Sequence, residues 1–404
     1  MIEKNDFPEE FKAAAPIIQK IKDAGYEAYF VGGSVRDIIL GQKIHDVDIA
    51  TSAYPQEIKA IFNRTIDVGI EHGTVLVLWQ DNQYEVTTFR TESTYQDFRR
   101  PDKVTFVRSL IEDLKRRDFT MNALAMTETG EIIDLFNGIE AIEKKQIKAV
   151  GNPHERFSED ALRMMRGLRF ASQLGFIIEE ETFAAIVENS YLLEKISIER
   201  ICIEWVKLML GRDAATGVGL FIASGCNNFC PGMSEQLFGL NLFQNRIHRQ
   251  IKTEELAWAL LMDSLNVANT AKWMKSWKLP NKLIQSVSSA MLFIKKRREC
   301  KSWSVKALYQ AGFETVTLVE QLLEYTGESG DCSKYQYAYQ DLPIHSLQDL
   351  AISGNDLLIE FDLKPGKWLG DILSKLADAV LFNQLPNEKK CLLNHCKEEL
   401  LKNV

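Results

Sequence analysis

Tyr29-Phe30-Val31-Gly32-Gly33-Ser34-Val35-Arg36-Asp37, followed seven residues later by His45-Asp46-Val47-Asp48-Ile49, decides how the fold of this chain is read. An apolar run entering two glycines predicts a strand that breaks into a helix, a turn where backbone amides can approach a phosphate and where Arg36 adds charge. The pattern matches neither a Walker A loop nor a dinucleotide-binding GxGxxG. The second stretch predicts a short strand near Asp46 to Ala50. Residues two apart in a strand share a face, so Asp46 and Asp48 point together while Val47 and Ile49 enter the core. Carboxylates roughly 6–7 Å apart at Cα can converge on two cations roughly 3.5–4 Å apart, a clamp suited to in-line displacement at phosphorus. Hard oxygen ligands suit Mg²⁺. An isolated Asp-x-Asp would read as an exposed strand with its acids outside; the glycine turn just upstream shifts that balance.

Working outward, the first 135 residues have a mixed α/β texture. A helix capped by Ser52 is expected to run through Glu57 to Phe62. The runs 74–79 and 84–89 around a four-residue polar break predict a β-hairpin. Glu85 in that hairpin is the candidate third carboxylate; it reads equally as a surface acid opposite a core-facing Val86. The segment 91–101, with Asp97, Arg99 and Arg100, is expected to be a mobile loop near the site. Lys115-Arg116-Arg117-Asp118-Phe119-Thr120-Met121-Asn122 offers Arg117 to a triphosphate and Asp118 and Asn122 to ribose hydroxyls, or is simply a basic helix start. In 158–170, read as one helix, Ala161, Met164, Met165 and Leu168 share an apolar face while Asp160, Arg163, Arg166 and Arg169 follow one polar stripe. Three arginines in register exceed what an intrahelical ion pair needs.

Composition bounds the class. The chain has 404 residues, 46% hydrophobic and 26% charged, as in an ordinary globular protein of two to four domains. No apolar window is long enough to span a membrane, and the acidic N-terminus shows no secretory signal. Seven scattered cysteines make no disulfide framework. Cys226 and Cys230, and Cys391 with His395 and Cys396, lack a CxxC pair and read as small buried thiols rather than a zinc site. The net charge of −8 hides a segregation: residues 272–306 hold ten Lys and Arg against the single acid Glu299. That segment, which includes Lys295, Lys296, Arg297 and Arg298, is expected to contact nucleic-acid phosphates. Trp273 and Trp277 beside it read as core. From Gly151 to about 325 apolar residues recur three and four apart, so the C-terminal two-thirds is expected to be mostly helical.

In this order and spacing, GGSVRD, DVD, RRDFTMNALA and EDALRMMRGLRF resemble the class II nucleotidyltransferases, and within them the bacterial CCA-adding enzymes, tRNA nucleotidyltransferases that build the 3′ CCA end. The resemblance covers about residues 25–205, continuing through Ser197, Glu199, Arg200 and Glu204, and is vague beyond 215. It implies an α+β chain: an N-terminal nucleotidyltransferase head of the polymerase-β-like palm type over 1–150, then a nucleotide-selecting helical neck over 151–215, a body over 216–325 and a tail over 326–404. It further implies that Asp46 and Asp48 hold Mg²⁺, with Glu85 as a third catalytic carboxylate. By the same resemblance Gly33, Arg36 and Arg117 bind the triphosphate side, Asp160 and Arg163 read the base, and Arg166 and Arg169 extend that pocket. The partners implied are tRNA, CTP and ATP, with no membrane, a cytoplasmic location, and a homodimer as the assembly to test. Sister activities on the same fold, adding only CC, only A, or poly(A), keep these residues. A non-catalytic RNA-binding protein would have no use for both Asp46 and Asp48.

Overall fold

Gly32 has φ 73° and ψ −136°, a conformation open only to glycine, and a Cβ there would meet Arg117 Nη1 at 3.0 Å and Asp48 Oδ2 at 3.8 Å. The expected strand-to-helix break therefore exists, and its tightness brings distant side chains together. In this computed structural model, residues 7–44, 46–92 and 104–401 are described; contacts divide the chain into two units, Met1–Ile251 and Lys252–Val404. That division is coarser than the four expected segments, and its cut falls inside 216–325.

The first unit opens with α1 (Glu9–Asp23), β1 (Ala28–Val31), α2 (Gly33–Ile39), β2 (Asp48–Thr51) and α3 (Pro55–Ile61). There follow β3 (Thr65–Gly69), β4 (Thr74–Trp79), β5 (Asn82–Thr88), β6 (Arg90–Glu92), β7 (Val104–Phe106), α4 (Leu110–Lys115), β8 (Leu124–Met126) and β9 (Ile132–Asp134). Seven strands form one sheet in the order β3-β4-β5-β2-β1-β8-β9, with β2 and β5 parallel and the other neighbours antiparallel. Helix α1 buries Phe11, Ala14, Ile17, Ile18 and Ile21, and Phe11 meets Phe30 of β1 edge-on at 4.8 Å. Their spacing is the apolar stripe of an amphipathic helix.

Three local expectations are corrected. Strand β2 starts at Asp48, so Asp46 lies in the preceding coil; alternation nonetheless holds, with both aspartates exposed and Val47 buried. Ser52 does not cap α3: its hydroxyl accepts from Glu27 N at 2.9 Å, while the helix starts at Pro55, its N-cap nitrogen at Tyr54 donating to Glu57. Proline favours the first helical turn, and the Glu57 carboxylate satisfies the exposed amide. The hairpin of β4 and β5 closes through Gln80 and Asp81 alone, since Trp79 pairs with Asn82. Of the expected loop, residues 93–101 lie outside the described residues.

Helices dominate from there: α5 (Gly138–Glu143), the short strand β10 (Gln146–Ile147), α6 (Pro153–Glu159), α7 (Leu162–Leu174), β11 (Ile177–Ile178), α8 (Glu180–Asn189), α9 (Ile198–Met209), α10 (Ala214–Ala223) and α11 (Leu237–Arg246). The expected single helix over 158–170 is broken. Asp160 (φ −138°, ψ 102°) ends α6, and its carboxylate accepts from Leu162 N at 3.0 Å to start α7. Aspartate competes for backbone amides in this way, which favours a junction over a helix interior. Cys226 and Cys230 are buried, and burial pushes the Cys226 thiol up to about 12.

The second unit contains α12 (Glu254–Leu265), α13 (Thr270–Ser276), α14 (Asn281–Cys300), α15 (Val305–Tyr325), α16 (Cys332–Gln340), α17 (Gly354–Phe361), α18 (Lys367–Leu381) and α19 (Lys389–Leu401). Trp277 is fully buried against Trp258 at 5.4 Å, with half-buried Trp273 stacked on it at 5.8 Å, so these rings are core as expected. The basic segment divides. Arg297 is buried and donates to Glu320 at 2.8 Å, and Arg298 pairs with Asp263 at 2.6 Å and Glu328 at 2.7 Å. Those two arginines are spent inside the unit rather than offered to phosphates, because the acids that neutralise them come from other parts of the chain. Lys272, Lys275, Lys278, Lys282, Lys295 and Lys296 are exposed.

Candidate active site

The turn at Gly32, the start of β2, the segment after α4 and the facing sides of α7 and α9 enclose one cavity of 1140 Å³. It gathers Gly33, Arg36, Asp46, Asp48, Arg117, Asp160, Arg163, Arg166 and Arg169. Glu85 alone of the expected residues is absent from it. Glu85 lines an adjoining cleft of 650 Å³ that shares Asp46 and Asp48, and it stands beside Asp48 because Val86 pairs with Ile49 in the parallel β5–β2 ladder.

The carboxylates repel. Asp48 is exposed as a residue, yet its carboxyl lies between two clefts whose walls desolvate it and push it above the usual range; the Arg117 guanidinium opposes that shift, and the neighbouring Glu85 and Asp46 charges add to it. A divalent cation would relieve such crowding, so the donor set fits the hard metal expected from the sequence. Among the described residues no three His, Cys, Asp or Glu side chains cage an ion. Two open carboxylates suit a cation that shares its coordination sphere with substrate phosphates.

Around this acidic end the cavity is cationic. Eight arginines and Lys207 border it. Arg36 is buried, donating to Asn122 Oδ1 at 2.7 Å and pairing with Asp37 at 2.7 Å. Asn122 in turn donates to Asp118 at 3.3 Å, and Asp118 accepts from Arg166 at 2.6 Å and from Phe119 N at 2.8 Å. The Asp118 carboxyl is fully enclosed, yet the Arg166 and Arg163 guanidiniums and these hydrogen bonds outweigh desolvation and hold it down at about 2. Asp118 and Asn122, expected to face ribose, thus join Arg36, expected on the triphosphate side, to Arg166, expected to extend the base pocket. The phenyl ring of Phe170 lies amid Arg169 at 4.2 Å, Arg36 at 5.3 Å and Arg166 at 5.6 Å. A ring face attracts cations, which lets three like charges sit close together. Arg169 pairs with Glu204 at 2.9 Å, and burial draws its guanidinium down to about 10.

Asp160 and Arg163 both border the cavity, and Arg163 N donates to the Asp160 carbonyl at 3.0 Å. Asp160 accepts from Arg200 at 2.8 Å as well as from Leu162 N, leaving about two of its four lone-pair sites. Arg163 donates to Glu159 at 2.7 Å and to the Arg116 carbonyl at 2.7 Å. Both side chains are thereby held in place.

Several residues escaped the sequence reading. Asp113 is buried and clamps Arg116 at 2.8 Å and Arg117 at 3.1 Å, a helical i,i+3 and i,i+4 arrangement that spacing could have revealed. Arg200 and Glu204, named from the sequence only as continuing the resemblance and given no role, form with the unremarked Lys207 a polar i,i+4,i+7 stripe on α9, a signal of the same kind. Nothing local marks Phe170 as a platform for arginines.

Comparison with known proteins agrees with this geometry. Residues 28–148 match the family described as the poly A polymerase head domain, and residues 249–396 match tRNA nucleotidyltransferase domain 2. The chain is 57% identical over 394 residues to a CCA-adding enzyme of Enterococcus faecalis, covering 97% of each, and 49% identical to one of Ligilactobacillus salivarius over the full length of both. Among solved structures, the Bacillus stearothermophilus CCA-adding enzyme in complex with CTP superimposes with a TM-score of 0.86 at 40% identity, covering 98% of this chain and 100% of that one.

Proposed function

The chain belongs to the CCA-adding enzymes, and from that membership we propose how its cavity adds C, C and A to the 3′ end of tRNA from CTP and ATP without a nucleic-acid template. The observation that carries the reading is the gathering of nine of the ten sequence-selected residues around one cavity, where eight arginines and Lys207 outnumber four aspartates.

Arg36 and Arg117 hold the triphosphate beside the Gly32-Gly33 turn, and the RNA 3′-hydroxyl attacks the α-phosphorus in line as pyrophosphate leaves. Mg²⁺, bound by Asp46 and Asp48, would supply a lowered hydroxyl pKa and neutralisation of the leaving oxygens. Glu85 deepens the negative field at Asp48. The remaining work is positioning and electrostatics, done by groups whose geometry is set before substrate arrives.

Asp160 accepts from the exocyclic amino group of cytosine or adenine and Arg163 donates to the adjacent ring nitrogen. Uracil and guanine present a carbonyl beside an N–H, so both side chains would be mispaired. Each such reading discriminates by about 1–3 kcal/mol, by analogy with base-edge recognition in DNA. The test is nucleotide competition on tRNA transcripts lacking all three nucleotides or only the terminal A. Asp160→Ala and Arg163→Ala should raise relative use of UTP over CTP and of GTP over ATP by roughly one to two decades. Slower variants with intact selectivity would move base choice elsewhere. Wild-type enzyme that stops after two cytidines, or adds only A, would assign one of the sister activities.

The exposed lysines of the second unit meet tRNA phosphates in this reading. Replacing Lys295 and Lys296 with Ser should lower the salt slope of tRNA binding by roughly 0.7–0.9 for each phosphate no longer neutralised and leave CTP affinity unchanged. An unaltered slope assigns these lysines to a solvated face. No helix among the described residues is long and apolar enough to cross a membrane. A cytoplasmic enzyme follows from its tRNA substrate, and sedimentation tests whether it is a homodimer.

A further inference from the structure

Each of the eight arginines bordering the cavity has a carboxylate or a backbone carbonyl within hydrogen-bonding or ion-pair distance. Lys207, the ninth cation, has no such partner among the described residues, and it is exposed. Its position is well defined by its neighbours. Ser172 Oγ donates to the Leu208 carbonyl at 2.6 Å, and Arg169 pairs with Glu204, so the end of α9 that carries Lys207 is pinned to the C-terminal half of α7. Gln173, next to Ser172, borders the same cavity.

The two ends of α7 differ in what they can bind. Asp160 and Arg163 lie at its N-terminal end. Gln173 lies thirteen residues from Asp160, roughly 20 Å along the chain path at about 1.5 Å each, and Lys207 lies seven residues, roughly 10 Å, along α9 from the Arg200 that pairs with Asp160. Between the two ends of α7 Arg169 shares the Phe170 ring with Arg36. If the base is read at the first end, the phosphates extend toward Arg36, and Lys207 borders the same cavity from the part of α9 that is pinned beside Arg169, which shares the Phe170 ring with Arg36. A triphosphate brings about four negative charges into a cavity where each arginine already donates to a protein oxygen, although Arg116 and Arg117 share the one carboxylate of Asp113 and Arg90 donates to the neutral His72 carbonyl. An uncompensated ammonium is the group best able to take up the excess charge, since it gives up no existing ion pair.

We infer that Lys207, with Gln173 beside it, binds the terminal phosphates of the incoming nucleotide and the pyrophosphate before release. The inference rests on the base being read at Asp160 and Arg163. It gives a base-independent contribution that serves CTP and ATP alike, set apart from the selectivity residues.

Equilibrium binding of CTP, ATP and CMP to the tRNA-free enzyme, with pyrophosphate inhibition of nucleotide incorporation, tests it in Lys207→Gln and Lys207→Arg. Lys207→Gln should weaken CTP and ATP by a similar factor of roughly ten and raise the pyrophosphate inhibition constant comparably, with CMP binding and base selectivity unchanged. Lys207→Arg should restore most of the loss. An unaltered ratio of CTP to CMP affinity overturns the inference, and so does a defect confined to the KM for tRNA, which would put Lys207 on the RNA backbone. Failure of the base-reading assignment appears separately, as intact selectivity in the Asp160 and Arg163 variants. The exposed site makes misfolding of Lys207→Gln detectable as a lowered melting temperature, and Lys207→Arg then decides the outcome.

Discussion

Asp48→Asn should abolish addition of both nucleotides while leaving the fold as stable as before, or slightly more so. The substitution keeps shape and removes one charge from the carboxylate pair. Losing a metal ligand removes several kcal/mol of charge stabilisation in the transition state; about 4 kcal/mol corresponds to roughly three decades in rate. Stability should move the other way. Desolvation of the carboxyl and the nearby Glu85 and Asp46 charges raise the Asp48 pKa, so the folded protein binds its proton more tightly than the unfolded chain. Stability from this group is therefore present at low pH and lost as pH rises through the raised value, leaving a penalty at neutrality. Asparagine removes that penalty. Single-turnover incorporation of CTP and ATP, paired with thermal unfolding without divalent cations, reads both effects. Activity within ten-fold of wild type would exclude Asp48 from the metal site. A melting temperature that falls together with activity would make its role structural.

Glu320→Ala should destabilise the second unit by about 3–5 kcal/mol, the range for stripping one partner from a buried ion pair. Glu320 is fully buried and its carboxylate accepts from Arg297 Nε at 2.8 Å, Trp303 Nε1 at 2.7 Å and Asp331 N at 2.8 Å. Alanine strands a buried guanidinium and two further donors in a cavity. The double variant Arg297→Met with Glu320→Leu should recover part of the loss, because it removes the charge that lacks a partner; Trp303 and Asp331 keep the recovery incomplete. Urea unfolding of the full chain measures this. A loss under about 1 kcal/mol, no more than an ordinary hydrogen bond is worth, would mean that water or a neighbouring group replaces the carboxylate.

The sequence by itself determined the parts of this protein that depend on short spacing. Gly32 could be recognised because a strand cannot turn so sharply into a helix with a side chain in the way. Asp46 and Asp48 share a face because alternation survives even where the strand is shorter than expected, and α1 packs through apolar residues at helical intervals. The chemical types were legible too: nine of the ten chosen site residues meet in one cavity. Tertiary structure decided which partners they take. The Asp160 carboxylate bonds to Arg200 across forty residues, since a break at the junction takes Asp160 out of the α7 stripe. Arg297 and Arg298 read as a basic surface until Glu320, Asp263 and Glu328 arrive from other parts of the chain to neutralise them. Lys207 reads as one lysine among many, and only the fold places it at the cavity with no carboxylate or carbonyl partner among the described residues. Local periodicity reports where a side chain points along its own element. Whether its charge stays available to a ligand depends on groups brought to it from distant parts of the chain.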